Sequence, residues 1–196
     1  MILHQKITKL FVDIDLLDAS IFWVTNVERK KYNLQLFKFH DKLAQTAMLH
    51  SNQMKLHDFF SHENSFDTRY KTLTDRINVV NDHSFKGFMC WGENIADIPV
   101  IKANENFSIE NRNGVLHYFA TNGSEILPYS YHEFAKVVVN VWMNSPGHRK
   151  NILNPEFKYL GCGNAYYEKK DSGFSMLYFK STQNFGGELQ NKNLGL

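Results

Sequence analysis

Three parts of the chain repeat apolar residues at helical spacing. The first begins at Leu17 and leads into a run of charged residues, which predicts a helix with a solvated end. The second covers about 41–60, and Asp41 lies where a helix start places an acidic side chain. The third covers about 133–144 and is ended by the Ser-Pro-Gly at 145–147. Its apolar face consists of Phe134, Val137, Val138, Val141 and Trp142.

Two stretches near the C-terminus have the composition of antiparallel strands. Residues 160–167 and 174–183 are rich in tyrosine, phenylalanine and small residues, and the segment 168–173 between them has the composition of a hairpin turn. Two Asn-Gly pairs predict a short β-ribbon in an insert at about 97–131. Because the helices come early and the strands late around one core, the pattern predicts an α/β or α+β sandwich.

The composition is that of one globular domain that buries a core. A chain of 196 residues with 43% hydrophobic residues is long enough to do so without disulfides. The net charge of +2, from 22 basic and 20 acidic residues, is too small and too evenly spread for a nucleic-acid binder. No stretch approaches the roughly 20 apolar residues of a membrane-spanning helix. We therefore expect a soluble domain with no nucleic-acid partner and no transmembrane segment.

The cysteines and the chain ends bear on disulfide bonding and on a signal peptide. Cys90 and Cys162 are too few for a disulfide framework, and they are compatible with one bridge or with two free thiols. Acidic residues interrupt the apolar ones in the N-terminal extension at 1–16, so no signal peptide is expected there. Residues 188–196 lack periodicity and are expected to form a frayed C-terminal tail.

Five short motifs follow one another along the chain. They are FFSHEN at 59–64, GENIA at 92–96, WMNSPGHRKNIL at 142–153, GCG at 161–163 and TQNFG at 182–186. This ordered set resembles the signature of bacterial CAP domains, the SCP-like members of the superfamily that contains cysteine-rich secretory, antigen 5 and pathogenesis-related proteins. The resemblance extends over residues 17–187 and leaves out both chain ends and the insert at 97–131.

The resemblance implies a fold and a site. The fold is α/β, a three-layer α-β-α sandwich with a central antiparallel sheet. The site is a central cleft lined by histidines and acidic residues, and the matching positions are His62, Glu93 and His148. A second glutamate that follows the helix tryptophan in animal members is replaced here by Ser145, as in many bacterial relatives. The resemblance also implies an extracellular or cell-envelope location.

The three cleft residues have the chemistry of a cation site. Two neutral imidazoles and one carboxylate are suitable donors for zinc or another divalent cation, with water completing the coordination. From the residues alone, each also has a structural interpretation. His62 resembles a helix-end cap, Glu93 a loop carboxylate that accepts from backbone amides, and His148 a residue that cross-links a turn. No local motif determines how the three positions are arranged.

The remaining histidines and the aromatic residues are interpreted as structural. His50 lies on the apolar face of the second helix and is expected to be a buried, hydrogen-bonded core histidine. Cys162 lies between two glycines and is expected to be a small buried residue. Six aromatic residues are expected in the core or in the cleft wall, namely Phe59, Phe60, Trp91, Trp142, Tyr166 and Tyr178.

Three functions remain open at this point. In a binding module, the cleft holds a cation, a peptide or a small lipid-like ligand without turnover. In a hydrolase, His62 or Glu93 acts as general base on a water molecule, which a bound metal can activate. In a secreted scaffold, the insert contacts a partner. Because no orienting acid or oxyanion donor is evident near Ser145, and because the second acidic position is absent, we favour the binding module.

Overall fold

The structure is a computed structural model that describes residues 4–8, 12–81, 90–102, 107–113, 115–171 and 174–187. The helices are α1 (Ile14–Lys31), α2 (Asp41–Leu56), α3 (Leu73–Val80), α4 (Tyr131–Met143) and α5 (Pro146–Ile152). A short 3-10 helix covers Thr68–Tyr70. The strands are β1 (Lys38–Phe39), β2 (Cys90–Pro99), β3 (Phe107–Arg112), β4 (Val115–Ala120), β5 (Glu125–Ile126), β6 (Tyr159–Asp171) and β7 (Phe174–Gly187).

The three helices predicted from apolar spacing are confirmed, and polar caps determine where they begin. Asp13 accepts a hydrogen bond from Leu16 N (2.9 Å) and starts α1. Ser130 and Glu133 form a reciprocal capping box that starts α4. The helices α3 and α5, of 8 and 7 residues, are too short to show a periodic pattern. Pro146 is the first residue of α5, a position that proline favours, so the predicted turn there becomes a helix start.

The central sheet has the strand order β1-β6-β7-β2. Strands β6 and β7 form an antiparallel hairpin, and β2 runs antiparallel to β7. The two-residue β1 lies parallel to β6, so the sheet is antiparallel except at this edge. Pairing between β6 and β7 continues to Asp171 and Phe174. The predicted turn at 168–173 is therefore wrong for residues 168–171, because the backbone ladder extends through this polar segment.

Helices cover both faces of the sheet, which confirms the predicted α-β-α sandwich. Helices α1 and α4 pack together on one face, while α2 and α3 pack on the other. The GCG motif allows α2 to lie directly on β6. A Cβ atom at Gly163 would be 2.1 Å from Met48 N, and one at Gly161 would be 2.0 Å from Ala44 N. Only glycine fits at these two positions without moving the helix.

Aromatic residues of α4 and β7 form the centre of the core. Trp142, Phe134 and Phe179 are all 0% exposed, and Trp142 Nε1 donates to the backbone oxygen of Ile95 (2.9 Å), which ties α4 to β2. The core prediction is confirmed for Trp142. It is wrong for Tyr166, which is exposed and lies under Lys55 Nζ at 5.0 Å from the ring centroid.

The insert forms a second sheet with the strand order β3-β4-β5, which confirms the predicted β-ribbon. Asn113, at the β3–β4 turn, has a φ of 56°, and Gly123, at the β4–β5 turn, has a φ of 80°. These left-handed conformations are the ones that asparagine and glycine tolerate best. The ribbon is attached to the core through Tyr118, which is 3% exposed.

The N-terminal extension packs on the domain. Ile7 is fully buried, and its backbone N–H donates to Tyr129 O (2.9 Å). Cys90 and Cys162 are both free thiols, and Cys162 is buried as predicted. No helix in the described ranges is long and apolar enough to cross a membrane. The tail predicted at 188–196 lies outside the described residues.

Candidate functional site

Three separate segments bring His62, Glu93 and His148 into one cluster. Glu93 lies within β2, His62 in the loop between α2 and α3, and His148 in α5. His62 Nδ1 is 2.9 Å from Glu93 Oε1. The ring centroids of His62 and His148 are 6.2 Å apart. The cluster therefore contains a buried carboxylate in contact with a half-exposed imidazole, with a second imidazole facing the first.

Arg76 of α3 pairs with the Glu93 carboxylate. Its Nη2 lies 3.0 Å from Oε1 and 2.8 Å from Oε2, and the guanidinium is fully buried. The same guanidinium donates to the backbone oxygens of His62 (3.2 Å) and Tyr70 (3.0 Å). Such additional hydrogen bonds are what a buried ion pair requires to offset desolvation. The sequence analysis did not identify Arg76. The feature that could have indicated its burial is its position in the short helix α3, directly before the buried Ile77.

The environment keeps Glu93 ionised. Its side chain is only 4% exposed, and burial by itself raises the pKa of this carboxyl. The hydrogen bond from His62 and the charge of Arg76 act in the opposite direction and together lower the pKa. Because an ionised carboxylate only accepts hydrogen bonds, His62 Nδ1 must be the donor. The Nε2 atom of a neutral His62 then carries a free lone pair.

His50 of α2 lies on the buried side of the cluster. Its Nε2 is 3.0 Å from Ser61 O and 3.7 Å from Glu93 Oε1. Burial lowers the pKa of His50 to about 4, so this ring is neutral at neutral pH. Its predicted core position is confirmed. The predicted hydrogen bonding is confirmed for Nε2, while Nδ1 has no partner in the described part of the chain.

Two asparagines hold α5 against β2. Asn151 Nδ2 donates to Glu93 O (3.1 Å) and to Asn94 Oδ1 (2.9 Å). Asn94 Nδ2 in turn donates to the backbone oxygen of His148 (3.2 Å). A Cβ atom at Gly92 would lie 3.0 Å from Asn151 Oδ1. These contacts give a physical reason for the residues around Glu93 and His148 in the GENIA and SPGHRKN segments.

His148 contributes an uncharged ring with an unused nitrogen. Burial, followed by the proximity of His62, lowers the pKa of His148. Its Nδ1 is buried and has no hydrogen-bond partner among the described residues. A neutral imidazole is the form of histidine that coordinates a divalent cation.

An open cleft of about 530 Å³ adjoins the cluster. Its polar end contains His62, Ser145 and His148, while Phe60 and Val141 contribute apolar walls. Phe60 is 50% exposed and Val141 is 43% exposed. Phe60 lies in the loop after α2 and is part of the cleft wall, the second of the two predicted placements. The volume is within the range of about 300–1,000 Å³ typical of small-molecule sites.

The groups of this cluster with donor atoms for a cation are the imidazoles of His62 and His148 and the carboxylate of Glu93. The described residues contain no group of three or more His, Cys, Asp or Glu side chains placed to hold a metal ion. Both oxygens of Glu93 accept from Arg76, and Oε1 also contacts and orients His62. Zinc–imidazole bonds are about 2.0–2.1 Å long, so one shared ion requires both rings, whose centroids are 6.2 Å apart, to turn a nitrogen toward it.

The fold and the site together define a class of protein: an α-β-α sandwich whose sheet edge carries a histidine-lined cleft. The model of the CAP family, the cysteine-rich secretory protein family, matches residues 23–183. The chain belongs to this family, and it has the bacterial SCP-like form of the domain.

Two relatives from Bacillus subtilis (strain 168) are similar to this chain. The uncharacterized membrane protein YlbC is 28% identical over 146 residues, and the uncharacterized protein YkwD is 27% identical over 157 residues. Each similarity covers 74% of this chain. The chain corresponds to 31% of the length of YlbC and 41% of the length of YkwD, less than half of either protein.

Two solved structures share the fold. One is an extracellular protein containing an SCP domain from Bacillus anthracis, with a TM-score of 0.57 and 27% identity over 89% of this chain and 41% of that chain. The other is an outer surface protein from Borrelia burgdorferi, with a TM-score of 0.54 and 18% identity over 94% of this chain and 100% of that chain. The second similarity shows the fold alone.

Proposed function

We propose that this domain is a binding module whose cleft takes a divalent cation between His62 and His148. The contact of 2.9 Å between His62 Nδ1 and Glu93 Oε1 carries the proposal. It orients the ring and leaves Nε2 available, in the way that a carboxylate orients a metal-binding histidine in other proteins. His148 lines the same cleft, and its lowered pKa keeps its ring neutral, which supports the same role.

The ligand that accompanies the cation is a peptide or a small lipid-like molecule. Phe60 and Val141 offer it an apolar surface that stays exposed in the free protein. Two imidazoles leave coordination positions open, and an oxygen donor of the ligand or a water molecule occupies them. Binding therefore combines apolar contact at one end of the cleft with coordination at the other.

We propose an extracellular or cell-surface location for this activity. The similarity to the extracellular SCP-domain protein of Bacillus anthracis supports it.

Calorimetric titration with zinc at pH 7 tests the cation site. We expect the demetallated protein to bind one ion, and we expect His62→Ala and His148→Ala each to abolish this binding. His117→Ala is the matched control, because His117 lies in the second sheet and pairs with Glu125 (2.7 Å). Zinc binding that persists in both cleft variants, or no binding by the unmodified chain, would contradict the proposal.

A hydrolase is the second candidate, and the same contact favours it. A histidine held by a buried carboxylate through Nδ1 has the arrangement of an oriented general base. Release of labelled peptides from casein, lost in His62→Ala and retained in His117→Ala, would establish turnover. Absence of release by the unmodified protein, with and without zinc, would leave the binding module as the function.

A further inference from the structure

A second cavity lies at the opposite edge of the central sheet from the cleft. It is an open cavity lined by residues of α1, β1, α2 and β6, and its volume is about 810 Å³. The cleft adjoins β2, which is at the other end of the strand order. The apolar lining of the second cavity consists of Ala19, Phe22, Phe39, Ala44, Met48 and Leu49. We call this cavity the Asp18 pocket, since Asp18 is the partly buried carboxyl in its lining.

The ionisable groups in the lining are acidic or neutral. Asp18 Oδ1 accepts a hydrogen bond from Asn164 Nδ2 (2.5 Å). Asp15 and Asp41 are exposed, in the first turns of α1 and α2. Among the described residues, no lysine, arginine or histidine lines the pocket. The pocket therefore combines an apolar surface with a negative potential that no basic side chain in its lining compensates.

The surroundings of Asp18 disfavour the ionised form of its carboxyl group. Burial raises the pKa of Asp18 to about 8, against the lowering effect of the Asn164 hydrogen bond, and the nearby Asp15 raises it further. The group is therefore largely protonated at neutral pH in the free protein. A cation in the pocket would favour the ionised form, whereas an uncharged ligand would leave the proton in place.

We propose that the Asp18 pocket binds an amphiphile with an apolar chain and an ammonium head group, and that the head group pairs with Asp18. The pocket volume is within the range of small-molecule sites, about 300–1,000 Å³. The apolar lining accepts the chain, and an ammonium group forms a charge-assisted hydrogen bond with a carboxylate shielded from water. The pocket shares no lining residue with the cleft, so this binding is independent of the cation site.

Calorimetric titration with dodecylamine and with dodecanoate, both below their micelle-forming concentrations, tests the head-group preference at pH 8. We expect dodecylamine to bind at one site and dodecanoate to bind at least about 10-fold more weakly. Asp18→Asn keeps an oxygen that accepts from Asn164, so this variant is expected to fold. We expect it to bind dodecylamine about 10–100-fold more weakly than the unmodified chain.

Asp58→Asn is the matched control, because Asp58 is an exposed aspartate outside the pocket and asparagine tolerates its φ of 48°. Ala19→Phe, at an exposed position of α1, fills the pocket and is expected to abolish binding. Equal binding of both amphiphiles, or dodecylamine binding unchanged in Asp18→Asn, would overturn the proposal and indicate an apolar groove for a hydrophobic partner. The absence of dodecylamine binding would overturn it as well.

The pH dependence gives a second readout. Because Asp18 loses its proton on pairing, dodecylamine affinity is expected to rise by up to about 10-fold per pH unit from pH 6 to pH 8. The amine stays charged in this range, since alkylamines titrate near pH 10, as lysine does. The other titratable groups facing Asp18 are Asp15 of α1, Asp41 of α2 and Cys162 of β6, and burial raises the pKa of the Cys162 thiol, which stays neutral. An affinity that does not change with pH, or that falls, would contradict pairing with Asp18.

Discussion

At the scale of single residues, Glu93 organises the site. Its carboxylate contacts Arg76 and His62 directly and lies 3.7 Å from His50. Through His62 it selects one tautomer of the exposed ring, and through Arg76 it joins α3 to β2. The same carboxylate therefore contributes to both stability and the orientation of the cleft histidine.

Replacement of Glu93 measures how much the ion pair with Arg76 contributes to stability. Glu93→Gln leaves the Arg76 guanidinium buried without a counter-charge, and we expect a loss of about 3–5 kcal/mol in the free energy of unfolding. Urea denaturation measures this loss. The control is Glu63→Gln, at the exposed position that follows His62 in the chain. The double variant Arg76→Met/Glu93→Gln is expected to recover most of the loss, since it removes both charges. A loss of under about 1 kcal/mol in Glu93→Gln would show that the ion pair contributes little.

Sequence reasoning reached some site residues and not others. The motif resemblance pointed to His62, Glu93 and His148, and the structure places them together. It gave no indication of Arg76 or Asp18. Whether a charged side chain is buried depends on partners distant in the chain, as Asn164 is for Asp18, and single-residue patterns do not contain that information.

At the scale of elements, the glycines of β6 determine how closely α2 packs on the sheet. Gly161 and Gly163 are two residues apart and therefore lie on the same face of the strand. The backbone of α2 occupies the space that their side chains would fill. This close packing positions the end of α2, and hence the loop that carries His62. The GCG motif is thus a packing requirement that supports the site.

Gly163→Ala tests this packing. Its Cβ atom would meet Met48 N at 2.1 Å and Ala47 C at 2.5 Å, both backbone atoms. We expect a loss of stability of about 3 kcal/mol or more, measured by urea denaturation. Gly147→Ala is the control, because no atom lies within 4 Å of its added Cβ and alanine suits the helix α5. This control is expected to stabilise by about 0.5–1 kcal/mol, and equal effects of the two substitutions would contradict the packing argument.

The elements differ in how well their sequences predict them. Helices α1, α2 and α4 are long and amphipathic, so the spacing of their apolar residues is sufficient to predict them. The strand β2 and the helix α5 have no such pattern, so the residues alone are also compatible with a loop at Glu93 and a turn at His148. Both segments are defined by long-range contacts, namely the pairing of β2 with β7 and the bonds from Asn151.

At the scale of the whole molecule, the central sheet separates two cavities of different chemistry. The lining of the cleft beside β2 includes two imidazoles and Asp97, which pairs with Lys180, whereas the lining of the Asp18 pocket beside β6 has three carboxyl groups. The apolar spacing predicts an α/β or α+β sandwich, and the resemblance to CAP domains implies the three layers. The positions of the two cavities cannot be predicted in this way, because each cavity is formed where residues of three or more elements meet.

The most direct test of the cation site is the position of the bound ion. Crystals grown with zinc, measured at the zinc absorption edge, locate it without reference to any activity. We expect one anomalous peak at about 2.0–2.1 Å from a ring nitrogen of both His62 and His148. A peak elsewhere on the molecule, or no peak at either ring, would contradict the assignment of the cleft as a cation site.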